Sequence, residues 1–189
     1  MSTINYDSKK SIRGAFGEEL AELGKNIPNV VALDADLSGS TQTSLFAKAF
    51  PERFFDVGIA EQDLMTTALG LSLEGFIPFA ATFAVFATGR AYDQIRNSIC
   101  YQKSNVKIIG AHGGITVGDY EQTRQAVRFA ASYNGPVYIR LSRMNVPDIF
   151  DKNYKFSINK AVVLKEGTDV SLITAGDILA EVMKASEIL

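Results

Sequence analysis

A single cysteine, Cys100, leaves this 189-residue chain without an internal disulfide and without any CxxC metal site. An excess of one charge is missing too. With 19 basic and 21 acidic residues the net charge is −2, which offers no general attraction to nucleic acid or an anionic membrane. The basic residues are dispersed and form no nucleic-acid patch. No apolar run is long enough to span a bilayer, and the polar start, MSTINYDSKKSIR, lacks the apolar core of a signal peptide. These absences lead to the expectation of a soluble, cytoplasmic protein with no nucleic-acid or membrane partner. Several catalytic signatures are lacking as well: GxGxxG, the P-loop GxxxxGK(S/T), GxSxG and HExxH are all absent. Nicotinamide, P-loop, hydrolase and zincin chemistries therefore have no support.

What is present is an ordinary globular composition, 47% hydrophobic and 21% charged. The length holds one substantial core with room for a small second unit. Ser8 to Leu23 has helical apolar spacing and Gly24 suits a stop. Short apolar runs at Asn29–Asp34, Arg53–Val57, Ile77–Ala81, Val106–Ala111 and Pro136–Leu141 read as strands. Helices are expected at Ser44–Ala49, Glu61–Glu74, Phe83–Ser98 and Asp119–Ser132. This alternation predicts an α/β fold, a mainly parallel sheet sandwiched between helices. Ligands in such folds sit beyond the carboxyl ends of the strands. DADLSGS, GIAEQ, HGGITVG and RLSR each follow a strand candidate, so all four are placed to line one crevice.

From Met144 to Tyr154 the pattern turns irregular, with Pro147 and the charged DKNYK, and reads as a linker. Strands are expected again at Ala161–Lys165 and Val170–Thr174, then a helix from Ile178. The expected division is 1–145 for the first domain, 146–157 for the linker and 158–189 for the start of a second α/β domain. Two strands and a helix cannot bury a core of their own, so the chain is expected to end inside that second domain.

Individual residues carry two readings each. Glu61 at the start of an apolar helix is either a first-turn acid favoured by the helix dipole or a buried acid that exchanges a proton with a bound ring. Phe83 and Phe86 either pack in the core or cover a flat ligand. His112, the only histidine, follows a strand and precedes two glycines, a position that favours function over a structural role. Arg13 and Arg143 are surface arginines or bidentate ligands for a phosphate group. Ser38, Gly39 and Ser40 form a plain turn or a loop that binds an anion through its amides. Arg90, Asp93 and Arg96 are either surface ion pairs or contacts with a partner domain.

Taken together and in this order, FFDVGIAEQDL, TFAVF, RAYDQIR, HGGITVG and RLSR resemble the C-terminal section of transketolase, over roughly Ser8 to Asn145. The resemblance implies the pyrimidine-binding domain of a thiamine-diphosphate enzyme, followed by the C-terminal domain of that family. By position, Glu61 matches the glutamate that hydrogen-bonds a nitrogen of the aminopyrimidine ring, and Phe83 and Phe86 match residues that pack on that ring. Asp36 matches an acidic loop residue near the cofactor. Arg13, Ser40 and Arg143 match positions that hold the sugar phosphate, and His112 one that contacts substrate near the reacting carbons.

The family grips the diphosphate and Mg²⁺ through a GDG-type motif that this sequence lacks. No metal ligand is therefore expected here, and the Mg²⁺ ligands are assigned to a partner, an N-terminal diphosphate-binding transketolase subunit, in a homodimer or heterotetramer. A split transketolase subunit transferring a two-carbon ketol unit between sugar phosphates follows, inactive without that partner. Rival expectations are 1-deoxyxylulose-5-phosphate synthase, a 2-oxo-acid dehydrogenase beta-type subunit, or a non-catalytic subunit of the same fold. One departure concerns Gly118, which runs directly into DYEQTRQAV. The family instead inserts a DGxTHQ loop, a helix and an inner strand, with a second catalytic histidine and an aspartate. Either that segment is deleted or Gly118 and Asp119 are not adjacent in the complete protein; the second is expected, because losing an inner strand would break the sheet.

Overall fold

The computed structural model describes residue 4 and residues 6–151 and 153–189. Its strands are β1 (Lys9–Ser11), β2 (Val30–Asp34), β3 (Phe54–Asp56), β4 (Ile77–Phe83), β5 (Lys107–Ala111), β6 (Val137–Leu141) and β7 (Asn145–Pro147). Five of them form one sheet in the order β3-β2-β4-β5-β6, with every neighbouring pair parallel. β1 and β7 pair antiparallel beside it. The helices are α1 (Ile12–Asn26), α2 (Ser38–Thr41), α3 (Ser44–Ala49), α4 (Glu61–Leu73), α5 (Tyr120–Ser132) and α6 (Leu179–Ile188). No helix among the described residues is long and apolar enough to cross a membrane.

Every residue of β2 and β5 is buried, because helices cover both faces of the sheet; hence their sequences are continuous apolar runs rather than alternating ones. Val30 and Ala32 face a cluster built with Phe16 and Leu20 of α1 and Val127 and Ala130 of α5. Val31 and Leu33, one residue out of step, face Leu64, Met65 and Ala68 of α4 together with Ala87, Ala91 and Ile99. Burial of a side chain such as Phe16, with no exposed surface, contributes about 1.5–3 kcal/mol.

α1 is anchored at three points. Ser11 caps it by accepting from the Gly14 N–H at 3.1 Å. Gly17 lets the Gln42 carbonyl approach so closely that a Cβ would stand 2.4 Å from that oxygen. Glu19, 2% exposed, accepts from Arg124 Nε at 2.7 Å and Arg128 Nε at 2.6 Å, which ties α1 to α5.

The structure corrects four expectations. α1 starts at Ile12 rather than Ser8, because Lys9–Ser11 pairs with Asn145–Pro147. The expected helix Phe83–Ser98 is not formed as such: β4 runs on through Phe83, whose pairing with Ala111 extends the ladder. Beyond it come two π-helical stretches, Phe86–Arg90 and Gln94–Cys100. The sheet is not broken after Gly118, since β5 and β6 pair directly over five residues. The strands expected at 161–165 and 170–174 are absent; these residues are largely exposed and no neighbouring strand offers them a ladder. Within the stretch read as a linker, contacts run back to α5. The Asp119 carboxylate accepts from the Ile149 and Phe150 N–H groups at 2.8 and 2.7 Å, and Phe156 packs on the core.

Candidate active site

Parallel strands share one carboxyl edge, and the segments leaving that edge carry most of the candidate residues. Asp36 follows β2, Glu61 follows β3, Phe83 ends β4 with Phe86 just beyond, His112 follows β5 and Arg143 follows β6. Arg13 comes from the first turn of α1 and Ser40 from α2.

The loop after β2 is shaped by Asp34, which has no exposed surface. Its carboxylate accepts from the Leu37 N–H at 2.6 Å, Thr41 Oγ1 at 2.7 Å and Thr43 Oγ1 at 2.8 Å. Burial pushes this carboxyl above the usual range, against the opposing pull of those hydrogen bonds. Asp36 adopts a left-handed backbone, φ 58°, and its N–H donates to Asp56 Oδ1 at 3.0 Å; aspartate tolerates that region better than most side chains. Ser40 is bound through its carbonyl, which accepts from Arg13 Nη1 at 2.7 Å.

His112 is also left-handed, φ 58°. Its ring lies 4.1 Å from that of Phe83, and Phe83 stacks on Phe86 at 5.8 Å with 20° between the planes. Burial lowers the His112 pKa, and the positive charges of Arg13 and Arg143 lower it further, so the ring is neutral at neutral pH. Its Nε2 and the Nε of Arg13 are both buried with no hydrogen-bond partner among the described residues. The Arg13 guanidinium is itself shifted down by burial and by Arg143. A cavity of about 300 Å³ opens here, bounded by Ala84, Thr88, His112, Gly113, Tyr138 and Arg140. Gly113 is needed for that approach: a Cβ would meet Arg140 Cγ at 2.2 Å.

Glu61 is 1% exposed at the first position of α4, and its Oε2 accepts from Arg90 Nη1 at 2.8 Å. The Arg90 guanidinium carbon lies 4.7 Å from the centre of the Phe86 ring. One line of contacts and charge interactions thus runs from Ser40 through Arg13 and Arg143 to His112, then through Phe83, Phe86 and Arg90 to Glu61. Asp36 stands apart from it, held to Asp56 instead.

Three participants escaped the reading of the sequence. Arg90 as the partner of Glu61 was foreshadowed only by its place four residues after Phe86. Arg140 was visible in RLSR, but strand alternation alone did not send it to the cavity. Asp34 was signalled by Thr41 and Thr43, hydroxyls spaced to return to one carboxylate. Among the described residues, no group of three or more His, Cys, Asp or Glu side chains is arranged to hold a metal.

Fold and edge together define a parallel α/β domain whose strand-end segments gather a buried acid and aromatic faces at one end and cations at the other. Residues 8–120 match the transketolase pyrimidine binding domain. The putative transketolase C-terminal section of Methanocaldococcus jannaschii is 43% identical, over 95% of this chain and 66% of its own length. Human transketolase is 35% identical over the whole chain, which spans 35% of that enzyme. A solved structure described as a split gene transketolase, inactive beta4 tetramer, superposes with a TM-score of 0.88 at 49% identity, covering 94% of this chain and 66% of that one. The chain belongs to the transketolase family, and its five-stranded sheet and flanking helices are the fold of the family's pyrimidine-binding domain.

Proposed function

We propose that this chain is the pyrimidine-domain subunit of a split, thiamine-diphosphate-dependent transketolase, which moves a two-carbon ketol unit between sugar phosphates. The observation that carries the reading is the line of contacts from Glu61 to Arg13: a buried carboxylate and stacked phenylalanines at one end, and two arginines with an orphaned histidine nitrogen at the other. The first end fits an aminopyrimidine ring and the second a phosphorylated sugar. Bound thiamine diphosphate supplies the carbanion chemistry. Glu61 holds a carboxylate, shielded from water, at a ring nitrogen, where it exchanges a proton. Phe83 and Phe86 offer flat apolar faces and exclude solvent, and Asp36 lines the loop nearby. Neutral His112 has one nitrogen free to hydrogen-bond the substrate near the reacting carbons. Arg13 and Arg143 neutralise the phosphate, with Ser40 beside them.

The diphosphate and Mg²⁺ are held by an N-terminal partner chain, in a homodimer or heterotetramer in the cytoplasm. The similarity to a solved split gene transketolase described as an inactive beta4 tetramer supports a partner. Residues 1–145 form the pyrimidine domain, and 146–157 join it to a second domain beginning at 158. The test is ketol transfer from pentose phosphates by this chain mixed with its diphosphate-binding partner. Replacing Glu61 with Ala is expected to lower turnover at least about 100-fold, the scale of a lost acid–base group. Unchanged turnover would remove Glu61 from the chemistry, and turnover of pyruvate alone would favour a synthase or dehydrogenase subunit.

A further inference from the structure

The pairing of Arg90 with Glu61 has no task in the proposed function. Arg90 closes a π-helical turn that starts at Phe86, with the Ala91 N–H bound to the Phe86 carbonyl at 3.2 Å. Such turns occur mostly as single insertions and often at functional sites. Here the wider turn carries the guanidinium back over the Phe86 ring at 4.7 Å while Nη1 reaches Glu61 Oε2 at 2.8 Å. The acid is 1% exposed and the arginine side chain 50% exposed. The buried partner is therefore fixed by packing, and the movable partner lies on the solvent side. One guanidinium occupies two features that a flat heteroaromatic ring would use, an oxygen of the buried acid and a face of Phe86.

We propose that Arg90 is a positioning residue that keeps Glu61 partnered and oriented until an aminopyrimidine ring exchanges with it. The ring displaces the guanidinium from Glu61 Oε2 and from Phe86, and the half-exposed side chain swings into water. This rests on the reading of Glu61 as the partner of the ring. Glu61 without a ring or Arg90 would be an uncompensated buried carboxylate, which is strongly unfavourable. The exchange, with one proton taken up from water between the carboxylate and the ring nitrogen, leaves it partnered at both stages.

The experiment is calorimetric titration of thiamine diphosphate into the complex of the full chain with its diphosphate-binding partner. Arg90→Met is expected to bind the cofactor about tenfold more tightly, the order set by no longer giving up one half-exposed ion pair and one cation–π contact. Arg90→Lys should fall between, since an ammonium keeps the charge and loses the flat face; it also serves if the Met variant folds poorly. On a Glu61→Gln background the Arg90→Met gain should shrink to about twofold, because only the contact with Phe86 remains to be broken. Equal or weaker binding by Arg90→Met, or the same gain with and without the Glu61 carboxylate, overturns the proposal. No uptake of cofactor by the unaltered complex would sink the proposed function and this inference with it, whereas uptake indifferent to Arg90 sinks this one alone.

Discussion

Lys107 opens β5 with no exposed surface, and among the described residues its ammonium meets only neutral oxygens: Asn105 Oδ1 at 2.6 Å and the carbonyls of Tyr133 and Gly135 at 2.6 and 2.7 Å. All three donors are satisfied, which favours the charged form. Loss of hydration weighs more, and burial pulls the amine from its ordinary 10.5 down to about 8. Near pH 7 the amine is protonated in both the folded and unfolded chain, but the folded chain holds the proton less tightly. At about 1.4 kcal/mol per pKa unit this lowers stability by about 3 kcal/mol. As the pH rises through about 8, the folded chain releases the proton while the unfolded chain keeps it to about 10.5. Stability therefore climbs across that window, and above it the penalty is gone.

Lys107→Met removes the titration. It leaves two carbonyls without a donor, at about 1–3 kcal/mol each, while Asn105 Oδ1 keeps the Gly135 N–H at 3.3 Å. Release of about 3 kcal/mol near neutral pH opposes that, so the variant should lie between about 1 kcal/mol more stable and about 3 kcal/mol less stable there. The sharper quantity is the difference between the two proteins as a function of pH. Urea unfolding followed by far-ultraviolet circular dichroism at several values between about pH 7 and 10.5 should show the unaltered chain gaining about 3 kcal/mol on the variant. Tyrosine ionisation is common to both and cancels in the difference. A difference that stays flat, or that narrows with rising pH, would refute the account of Lys107 as a buried cation without a counter-charge.

The Glu19 cluster should be asymmetric: Glu19→Gln frees two arginines that are 30% and 46% exposed and costs about 1–2 kcal/mol. The Arg124→Met, Arg128→Met pair strands a buried carboxylate and costs about 3–5 kcal/mol; equal shifts in the urea midpoint would contradict this. Asp119→Ala removes the acceptor for the Gln122, Ile149 and Phe150 N–H groups, at about 2 kcal/mol. Amide hydrogen exchange should accelerate at Ile149 and Phe150 while Val127 in the core holds its protection, and unchanged exchange at 149–150 would mean that the segment is held by something else.

The layers of the fold were legible where a segment's own composition decides its fate. Val30–Asp34 and Lys107–Ala111 are buried on both faces, so their apolar runs mark strands without reference to anything else. The strand-end loops were legible for the same reason, since parallel strands leave all their exits on one edge. The reading failed where a neighbour decides. Phe83 belongs to β4 only because Ala111 is there to pair with it, and 170–174, with a strand-like composition, has no such neighbour. The π-helical turns carry no mark in a pattern searched at helical spacing, yet one of them brings Arg90 onto Glu61. That contact changes how the glutamate is understood. From the sequence it was a carboxylate among aromatics with no partner assigned. In the fold it is a carboxylate already held by a cation, so whatever binds there must exchange for an arginine rather than fill a bare pocket. An acid prepared in this way has a partner with or without the ring, and it is the exchange, more than the burial, that a substitution at Arg90 would alter.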